Sequence, residues 1–422
     1  MTARLADSSY PADDALLAEL RADWPPGPVP VGPAGAARGY ATTDLAARPP
    51  VAALRLADRF AVALVEDGEA FLVVPLARDG AGGWRAAVPG DGFSAFVAGV
   101  PLASEAAIEA DQTNASVVVG ERAIVKWFRR VGPRPSRATP LLAHLAAVGF
   151  REIPAPLGSI TWRSPAGAEL AIAQGDGYLP GARDGWEWCV ERVAGHVAHV
   201  DDPCPAGCDP WIGAPLGRLV GRLHAALATP SGVIPESTAE IDPGTVAGWR
   251  AQARVTLEEA LSLTGDPELV ALAPVMRADL DALPTDRLVA LQPVHGDLHV
   301  GQVLEWSGGL AVIDFDGNPA LGDDANALRQ PVERDIAQMT SSLDHVGRIV
   351  DRQTEGSVGA AVGAWIERTR REFLEALARP PDPTLLAAFE VEQECRELVY
   401  AARFLPRWRY APLATLRARY GP

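Results

Sequence analysis

The stretch His295-Gly296-Asp297-Leu298-His299-Val300-Gly301-Gln302 is the most informative segment of this 422-residue chain. It follows a short apolar run that ends at Val294, so we expect Asp297 in a turn directly after a strand. A second strand-like run, Leu310-Ala311-Val312-Ile313, ends at Asp314. The pattern therefore predicts two short strands that each deliver one carboxylate to the same edge.

A pair of carboxylates at one edge suits phosphoryl transfer. Asp297 can orient an attacking hydroxyl and accept its proton, while Asp314 holds Mg²⁺ against the phosphates. Gln302 lies five residues after Asp297, and a loop of that length can return an amide oxygen to the same cation. Asp316 is a further oxygen donor that can bridge or bind a second ion. A single aspartate in a turn is usually only a turn residue, so the prediction depends on the whole set.

The composition, with 48% hydrophobic and 22% charged residues, predicts an ordinary globular protein of two or three subdomains. The formal charge of −16 disfavours nucleic acid and anionic membranes as partners. Bound phosphates would therefore need a local cation or a metal ion. No apolar run reaches about 18 residues and no signal-peptide layout is visible. We expect a cytoplasmic protein that is a monomer or a weak homodimer.

The character of the sequence changes along the chain. Residues 1–100 contain short strand-like pieces separated by Gly, Asp and Pro, which predict a small antiparallel sheet. Residues 101–176 include a hairpin pattern from Ser116 to Phe128 and are also predicted to be rich in strands. Helical periodicity dominates residues 177–422. This arrangement predicts an α+β fold.

The segment 295–302, followed by Ile313-Asp314-Phe315-Asp316-Gly317, resembles the aminoglycoside phosphotransferase and protein-kinase-like superfamily. Gln302, where that superfamily usually has asparagine, is similar to the maltokinase-like branch. The resemblance implies a bilobal protein-kinase-like fold. Its parts would be an N-terminal cap over residues 1–100, a β-rich nucleotide-binding N-lobe over residues 101–176, and a helical C-lobe over residues 177–422 with the catalytic loop and the acceptor site. It also implies that Asp297 is the catalytic base and that Mg²⁺ and ATP take part. The implied metal ligands are Gln302, Asp314 and Asp316.

The segment from Asn114 to Gly120, together with Lys126, resembles the nucleotide-binding hairpin of the same branch. The resemblance implies that Lys126 holds the α- and β-phosphates of ATP, with Asn114 and Ser116 beside them. The helix that would supply a glutamate partner for this lysine contains no acidic residue at positions 141–145. The partner of Lys126 therefore stays open. Asp335, in the helix after the metal motif, is expected to anchor the catalytic loop rather than to react.

The helix predicted over residues 383–404 is informative about the acceptor. Its glutamates at positions 390, 394 and 397 fall on one face, and Trp408 follows the helix end. A solvated acidic face is the alternative interpretation. The segment resembles the end of maltokinase-like proteins with glucosamine kinase activity, which implies 6-phosphorylation of D-glucosamine, an acceptor whose ammonium group pairs with carboxylates. The expected substrate contacts are Asp297, His299, Glu390, Glu394, Glu397, Arg403 and Trp408.

Three alternatives remain open at this stage. The first is a maltokinase that forms maltose 1-phosphate, and a panel of sugar acceptors would separate it from an amino-sugar kinase. The second is an aminoglycoside-type phosphotransferase, against which the N-terminal cap and Gln302 both argue. The third is a pseudokinase that binds ATP without turnover, which the intact Asp297, Asp314 and Lys126 disfavour.

The four cysteines are Cys189, Cys204, Cys208 and Cys395. The spacing of Cys204 and Cys208 would permit half of a zinc site, but no second Cys/His pair with metal-ligand spacing follows them. We therefore expect these two to be free thiols in a turn. The upstream group of His196, His199, Asp201 and Asp202 is expected to reflect a favourable helix C-terminus.

Overall fold

The computed structural model describes residues 8–24, 28–29, 43–45, 48–100, 102–108, 114–132, 136–199, 204–318 and 327–421. The chain divides into two compact units. Unit 1 comprises residues 1–142 and 154–180, and unit 2 comprises residues 143–153 and 181–422. Within the described ranges, no helix combines the length and apolar character that a membrane span requires.

Unit 1 is rich in β-strands, because its sequence has short apolar runs such as Phe60–Val65 between tight turns. Its elements are β1 (Ser8–Tyr10), α1 (Asp14–Ala22), β2 (Pro28–Val29), β3 (Thr43–Asp44), β4 (Ala52–Ala57), β5 (Phe60–Asp67), β6 (Ala70–Arg78), β7 (Trp84–Ala86), α2 (Phe93–Val97), β8 (Glu105–Ala107), β9 (Ala115–Val119), β10 (Ala123–Trp127), β11 (Arg130–Val131), the first half of α3 (Ala138–Ala147), β12 (Pro156–Arg163) and β13 (Glu169–Gly177).

Two larger sheets of unit 1 share one hydrophobic core. A six-stranded sheet has the order β1-β12-β13-β10-β9-β8, and a five-stranded sheet has the order β11-β6-β5-β4 with β7 beside β6. Buried side chains of both sheets, including Val62, Trp127 and Ile172, pack in the same cluster as Phe93 of α2. The core therefore extends across residue 100. The predicted boundary there between a cap and a nucleotide-binding lobe stays a prediction.

The hairpin β9–β10 fixes the position of Lys126. Lys126 lies directly opposite Ser116 on β9 and opposite Gln174 on β13. The hairpin turns at Gly120 and Glu121, which have left-handed backbone angles φ of 53° and 50°. Ser116 is inside the strand, where its carbonyl accepts a hydrogen bond from the Ile108 N–H at 2.9 Å. Asn114 directly precedes this strand, which begins at Ala115.

Unit 2 is mainly helical, and the predicted α+β fold with a β-rich first part and a helical second part is confirmed. Its elements are α4 (Gly185–Val197), α5 (Gly213–Ala228), β14 (Ala239–Ile241), α6 (Pro243–Thr264), α7 (Pro267–Asp281), β15 (Val289–Pro293), β16 (Val303–Trp306), β17 (Gly309–Val312), β18 (Arg329–Gln330), α8 (Glu333–Gln353), α9 (Gly359–Glu375), α10 (Pro383–Phe404), α11 (Tyr410–Tyr420) and single 3₁₀ turns at Val300–Gln302 and Pro406–Trp408.

Long helices of unit 2 start at aspartate–proline pairs. Helices α6, α7 and α10 begin at the proline that follows Asp242, Asp266 and Asp382, and each aspartate accepts hydrogen bonds from N–H groups of the first turn. Proline is favourable there because its missing N–H would have no partner in the helix. The helix predicted over residues 383–404 has the bounds that the sequence indicated.

Cys204 and Cys208 are free thiols, as expected, and they lie close to two histidines at the C-terminal end of α4. Cys204 lies 3.3 Å from both His199 Nε2 and His196 Nδ1, and Cys208 Sγ lies 3.5 Å from His196 Nδ1. The partner pair therefore precedes the cysteines in the chain, whereas we had searched only after them. Asp201 and Asp202 lie outside the described residues.

Candidate active site

The segment 295–302, which we call the catalytic loop, connects β15 to β16 and is held by Asp335 of α8. Asp335 is fully buried and accepts the N–H groups of His295 at 2.9 Å and Gly296 at 2.8 Å. His224 of α5 contacts the same carboxylate at 3.0 Å. Burial opposes ionisation, but these hydrogen bonds and the nearby histidines outweigh it and lower the pKa of Asp335. Asp335 anchors the loop, as we predicted.

Two further side chains of α8 bind the backbone of the catalytic loop, and we call them, together with Asp335, the backbone clamp. Gln338 accepts the Leu298 N–H at 2.9 Å, and Ser342 accepts the Val300 N–H at 3.0 Å. Positions 335, 338 and 342 share one face of the helix because their spacing follows its turn. The loop backbone is therefore fixed by neighbouring polar side chains that its own sequence does not contain. The sequence pattern did not reveal the role of Ser342.

Asp297 is the reactive candidate of the loop. Its side chain retains 19% exposure, so a substrate hydroxyl can reach it. Its Oδ1 accepts hydrogen bonds from Asn318 Nδ2 at 3.0 Å and Gln338 Nε2 at 3.4 Å, while its Oδ2 lies 3.9 Å from His299 Nε2. Burial, with a contribution from the Asp314 charge, raises the pKa of Asp297 to about 6. Asn318 follows the metal motif by a few residues, and we had not singled it out.

The hairpin β16–β17 brings Gln302 and Asp314 to one end. Val303 pairs with Val312, and the Ile313 N–H donates to the Gln302 carbonyl at 3.0 Å. Asp314 adopts a left-handed backbone with φ of 64°, which is unfavourable for most side chains and is tolerated by aspartate. Asp314 is exposed and Asp316 is half-buried. An all-oxygen donor set with a raised carboxyl pKa nearby fits a hard divalent cation.

The first turn of α4 packs tightly against the end of the catalytic loop. A Cβ atom at Gly185 would lie 1.6 Å from the carbonyl oxygen of Val300, so only glycine fits there. Trp188 Nε1 donates to the Val303 carbonyl at 3.0 Å. The same turn places the Trp186 ring beside His299, with ring centres 5.8 Å apart. Helix α4 therefore supports the loop and contributes an aromatic face next to it.

Aromatic contacts connect His299 to the C-terminal segment. The Trp186 ring contacts the Trp408 ring at 5.9 Å, and Trp408 contacts the His345 ring at 5.4 Å. Trp408 Nε1 donates to Glu397 Oε2 at 2.9 Å. The structure thus brings together three of the expected substrate residues, His299, Glu397 and Trp408, and adds Trp186. Glu397 has a raised pKa because burial outweighs the effects of His345 and the Trp408 N–H.

Glu394 lies beside this group and is paired with His345. His345 Nε2 contacts Glu394 Oε2 at 2.9 Å, and both side chains are buried. Burial alone would lower the pKa of His345, but the charge of Glu394 and this hydrogen bond outweigh it and raise the pKa. Among the described residues, no hydrogen-bond partner is found for the buried Glu394 Oε1. That oxygen remains available as an acceptor.

Glu390 and Arg403 form ion pairs with side chains outside the group of His299, Glu397 and Trp408. Glu390 accepts hydrogen bonds from Thr340 at 2.6 Å and Arg370 at 2.7 Å, and it also pairs with Arg419. Burial opposes ionisation of Glu390, but the arginines outweigh it and lower its pKa. Arg403 is exposed and pairs with Glu259 of α6. The acidic helix face is not solvated, because Glu390 and Glu394 are 5% and 2% exposed.

The expected nucleotide-binding residues Asn114, Ser116 and Lys126 all belong to unit 1, around the start of β9 and on β10. The Lys126 ammonium nitrogen lies 5.7 Å from the centre of the Phe128 ring. Lys126 is also the only lysine among the 38 Lys and Arg residues of the chain. The other 37 of these residues are arginines, and a lysine differs from them in carrying a compact point charge.

Known proteins resemble the chain over most of its length. The sequence model of the phosphotransferase enzyme family matches residues 105–317. A glucosamine kinase from Streptacidiphilus jiangxiensis is 40% identical over 405 residues, which cover 86% of this chain and 89% of that protein. A glucosamine kinase from Mycolicibacterium smegmatis is 36% identical over 396 residues, which cover 84% of this chain and 94% of that protein.

A solved structure of a glucosamine kinase in complex with glucosamine, ADP and inorganic phosphate has a TM-score of 0.74 and 36% identity to this chain. The match covers 87% of this chain and 93% of that one. The resemblance that we inferred from the catalytic loop is therefore confirmed. Taken with the clamped loop and the paired aspartates, these similarities establish that the chain belongs to the phosphotransferase enzyme family.

Proposed function

We propose that this protein transfers the γ-phosphoryl group of ATP to the 6-hydroxyl of D-glucosamine, which yields ADP, glucosamine 6-phosphate and a proton. The proposal depends on a series of contacts that leads from Asp297 to the acidic and aromatic side chains of the acceptor site. His299 lies beside Asp297, the Trp186 ring contacts the rings of His299 and Trp408, and Trp408 donates a hydrogen bond to Glu397. Relatives that are glucosamine kinases support the same acceptor. A cytoplasmic location and a monomer or weak homodimer belong to the same proposal.

Asp297 has the properties of a general base. Its Oδ1 is occupied by two amide donors, Asn318 and Gln338, so Oδ2 is the atom left to accept the proton of the acceptor hydroxyl. With a pKa of about 6, the carboxyl is mostly ionised at neutral pH and remains basic enough to accept that proton. The fixed loop backbone holds this oxygen in place while the phosphoryl group is transferred.

The phosphate side of the reaction would involve a metal ion and a lysine. Gln302, Asp314 and Asp316 would hold Mg²⁺, and the bound cation would supply charge neutralisation at the phosphates. Lys126 would contact the α- and β-phosphates, with Asn114 and Ser116 at the same hairpin. The position of Lys126 opposite Ser116 within the sheet supports this role, because a strand presents neighbouring side chains on one face.

The acceptor side is suited to a small amino sugar. Among the described residues, the hydrogen-bond donors to Glu397 are neutral, Gln393 at 3.1 Å and Trp408 at 2.9 Å, so its charge remains available to an ammonium group. Glu394 Oε1 is a second available acceptor. Trp408 supplies an apolar surface for the sugar ring. We accordingly place Glu397, Glu394, His299 and Trp408 in the acceptor site, and assign Glu390 and Arg403 to stabilising ion pairs.

A panel of acceptors tests the proposal. Initial rates with ATP and Mg²⁺ would be compared for glucosamine, N-acetylglucosamine, glucose and maltose. We expect kcat/KM for glucosamine to exceed that for N-acetylglucosamine by at least about 100-fold, because acetylation removes an ammonium ion paired with carboxylates. ³¹P–¹H correlation spectra of the product would identify the phosphorylated carbon. A preference for maltose, or a product phosphorylated at carbon 1, would refute the proposal.

The single lysine permits a direct test of the nucleotide contact. An amine-selective reagent can modify only Lys126 and the N-terminal amine in this chain. We expect ATP to slow modification of Lys126 by about tenfold or more, measured by peptide mass spectrometry, because bound phosphates cover the ammonium group. The N-terminal amine is the internal control. Equal modification of Lys126 with and without saturating ATP would contradict its role.

A further inference from the structure

We propose that His196, His199, Cys204 and Cys208 form a structural site for one Zn²⁺ ion. One ligand atom from each residue lies within 4.8 Å of those of all the others. The set of two imidazoles and two thiols is a common donor combination for zinc in proteins. The histidine pair comes first in the sequence, at the end of a helix, and the cysteine pair lies in the loop that follows.

The distances match the geometry of a tetrahedral ion. Zinc binds histidine nitrogen at about 2.0 Å and cysteine sulfur at about 2.3 Å, which places nitrogen and sulfur ligands about 3.5 Å apart in a tetrahedron. The observed nitrogen–sulfur distances are 3.3 Å for His199–Cys204, 3.3 Å for His196–Cys204 and 3.5 Å for His196–Cys208. His196 would bind through Nδ1 and His199 through Nε2.

The side chains around the cluster support a fixed site. Cys204 is exposed and the other three residues are half-buried, so an ion can enter from the surface. The His196 ring packs on Trp211 with ring centres 5.3 Å apart. Trp211 in turn lies 3.5 Å below the Arg368 guanidinium of α9. Through Trp211, the segment that carries the two cysteines is therefore also in contact with α9.

The site would tie the end of α4 to this loop. The first turn of α4 supports the catalytic loop through Gly185 and Trp188, whereas the cluster lies at its other end. The helix has 13 residues and spans about 20 Å, so the ion would be far from the reacting atoms. With four protein ligands, it would have no open position for substrate. The role that follows is to stabilise α4 and, through it, the loop.

Metal content gives the first test. Tag-free protein, purified without chelators and in the presence of zinc, is expected to contain about one zinc ion per chain, measured by inductively coupled plasma mass spectrometry. Joint replacement Cys204→Ser and Cys208→Ser should reduce zinc to background. Cys189→Ala, which removes a buried thiol of the same helix outside the cluster, should leave it unchanged. Cys208→His should retain zinc, which separates loss of a ligand from loss of folding.

Spectra and stability give the second test. Cobalt substituted into the wild-type protein should show the intense visible bands of a tetrahedral ion and a thiolate charge-transfer band, both absent from the double serine variant. A strong chelator should lower Tm by about 5 °C or more in the wild type and leave the double variant unchanged. A wild type without zinc, equal zinc in the double variant, or a Cys204–Cys208 disulfide found by non-reducing peptide mapping would overturn the proposal.

Discussion

The catalytic loop and the acidic face of α10 both depend on buried carboxylates, but these carboxylates have different partners. In the loop, Asp335 accepts backbone N–H groups, so it determines the shape of the main chain. On α10, the partners change along one helix face. Within the described part of the chain, Glu390 is paired with arginines, Glu394 with a histidine and Glu397 with neutral donors.

This difference separates stabilising carboxylates from those that can bind a ligand. A buried carboxylate that already has cationic partners has its charge compensated within the protein, as at Glu390. Among the described residues Glu397 has neutral hydrogen-bond donors, so its charge is compensated less than that of Glu390. Burial raises the pKa of Glu397 against the opposing effect of His345, whereas the arginines lower the pKa of Glu390.

Replacement of the base tests the loop itself. Asp297→Asn keeps the shape of the side chain but removes its ability to accept a proton in the reaction. We expect kcat to fall by about 10³-fold or more, since a general base contributes about 10² to 10⁴. Tm should change little, because the backbone clamp of α8 is intact. A decrease in kcat of less than about tenfold in a coupled ADP assay would contradict the assignment of Asp297.

Replacement of Asp335 tests whether its hydrogen bonds hold the catalytic loop in place. Asp335→Ala leaves the buried N–H groups of His295 and Gly296 without their acceptor. We expect a loss of about 3 kcal/mol or more in the free energy of unfolding and a decrease of about 10² in kcat, because a displaced loop misaligns Asp297. Urea denaturation and initial rates at a temperature where the variant remains folded would measure the two effects.

Asp351→Asn, on the same helix but beyond the loop, is the control for this clamp. It should leave kcat within about twofold of the wild type. If Asp335→Ala lowered stability while kcat stayed unchanged, the carboxylate would stabilise the fold without positioning the base.

The catalytic loop could be predicted from sequence to a large extent, whereas the acceptor site could not. The positions of Asp297 and Asp314 follow from short strands and local spacing, which a linear pattern contains. The spacing of Glu390, Glu394 and Glu397 correctly indicated a common helix face. It could not indicate that arginines from α9 and α11 occupy one end of that face, because those partners come from distant parts of the chain.

The same reason explains what was missed elsewhere. Asn318 and Ser342 act on the loop through tertiary contacts, and neither belongs to a recognisable motif. The pairing of His196 and His199 with the cysteine pair depends on how the chain turns after α4. Spacing along the chain predicts which side chains share an element, but the fold decides which elements meet.

The two ends of the acidic face can be compared directly by matched substitutions. Glu397→Gln should raise KM for glucosamine by about 30-fold, because it removes the uncompensated charge that would pair with the ammonium group. KM for N-acetylglucosamine should change much less. The sugar dependence of the initial rate would measure both values. An equal increase in KM for the two sugars would indicate that Glu397 shapes the pocket without recognising the amine.

Glu390→Gln should act on stability instead. It weakens ion pairs to Arg370 and Arg419, and we expect the free energy of unfolding to fall by about 2 kcal/mol or more with KM for glucosamine unchanged. Urea denaturation provides the measurement. A large increase in KM in this variant, with unchanged stability, would reverse our assignment of the two glutamates.

The pH dependence of kcat/KM tests whether a carboxylate of the catalytic loop or one of the acidic helix face must be ionised. The expected effect is smaller than those of the substitutions. Asp297 must be ionised to accept a proton, and its pKa is about 6. The free carboxyl is therefore protonated as the pH falls, so kcat/KM for glucosamine should be halved near pH 6 and fall about tenfold per unit below that value. The sugar ammonium remains charged throughout this acidic range, since amines of this kind lose their proton only near pH 8.

Glu397→Gln provides the control for this profile. If the acidic limb reports Asp297, the midpoint near pH 6 should persist in the variant although the absolute kcat/KM is lower. A midpoint that disappears in Glu397→Gln would assign the limb to the acidic face, where the pKa of Glu397 is also raised by burial. Rates measured at constant ionic strength across the range would decide between a loop carboxylate that reacts and a helix carboxylate that binds.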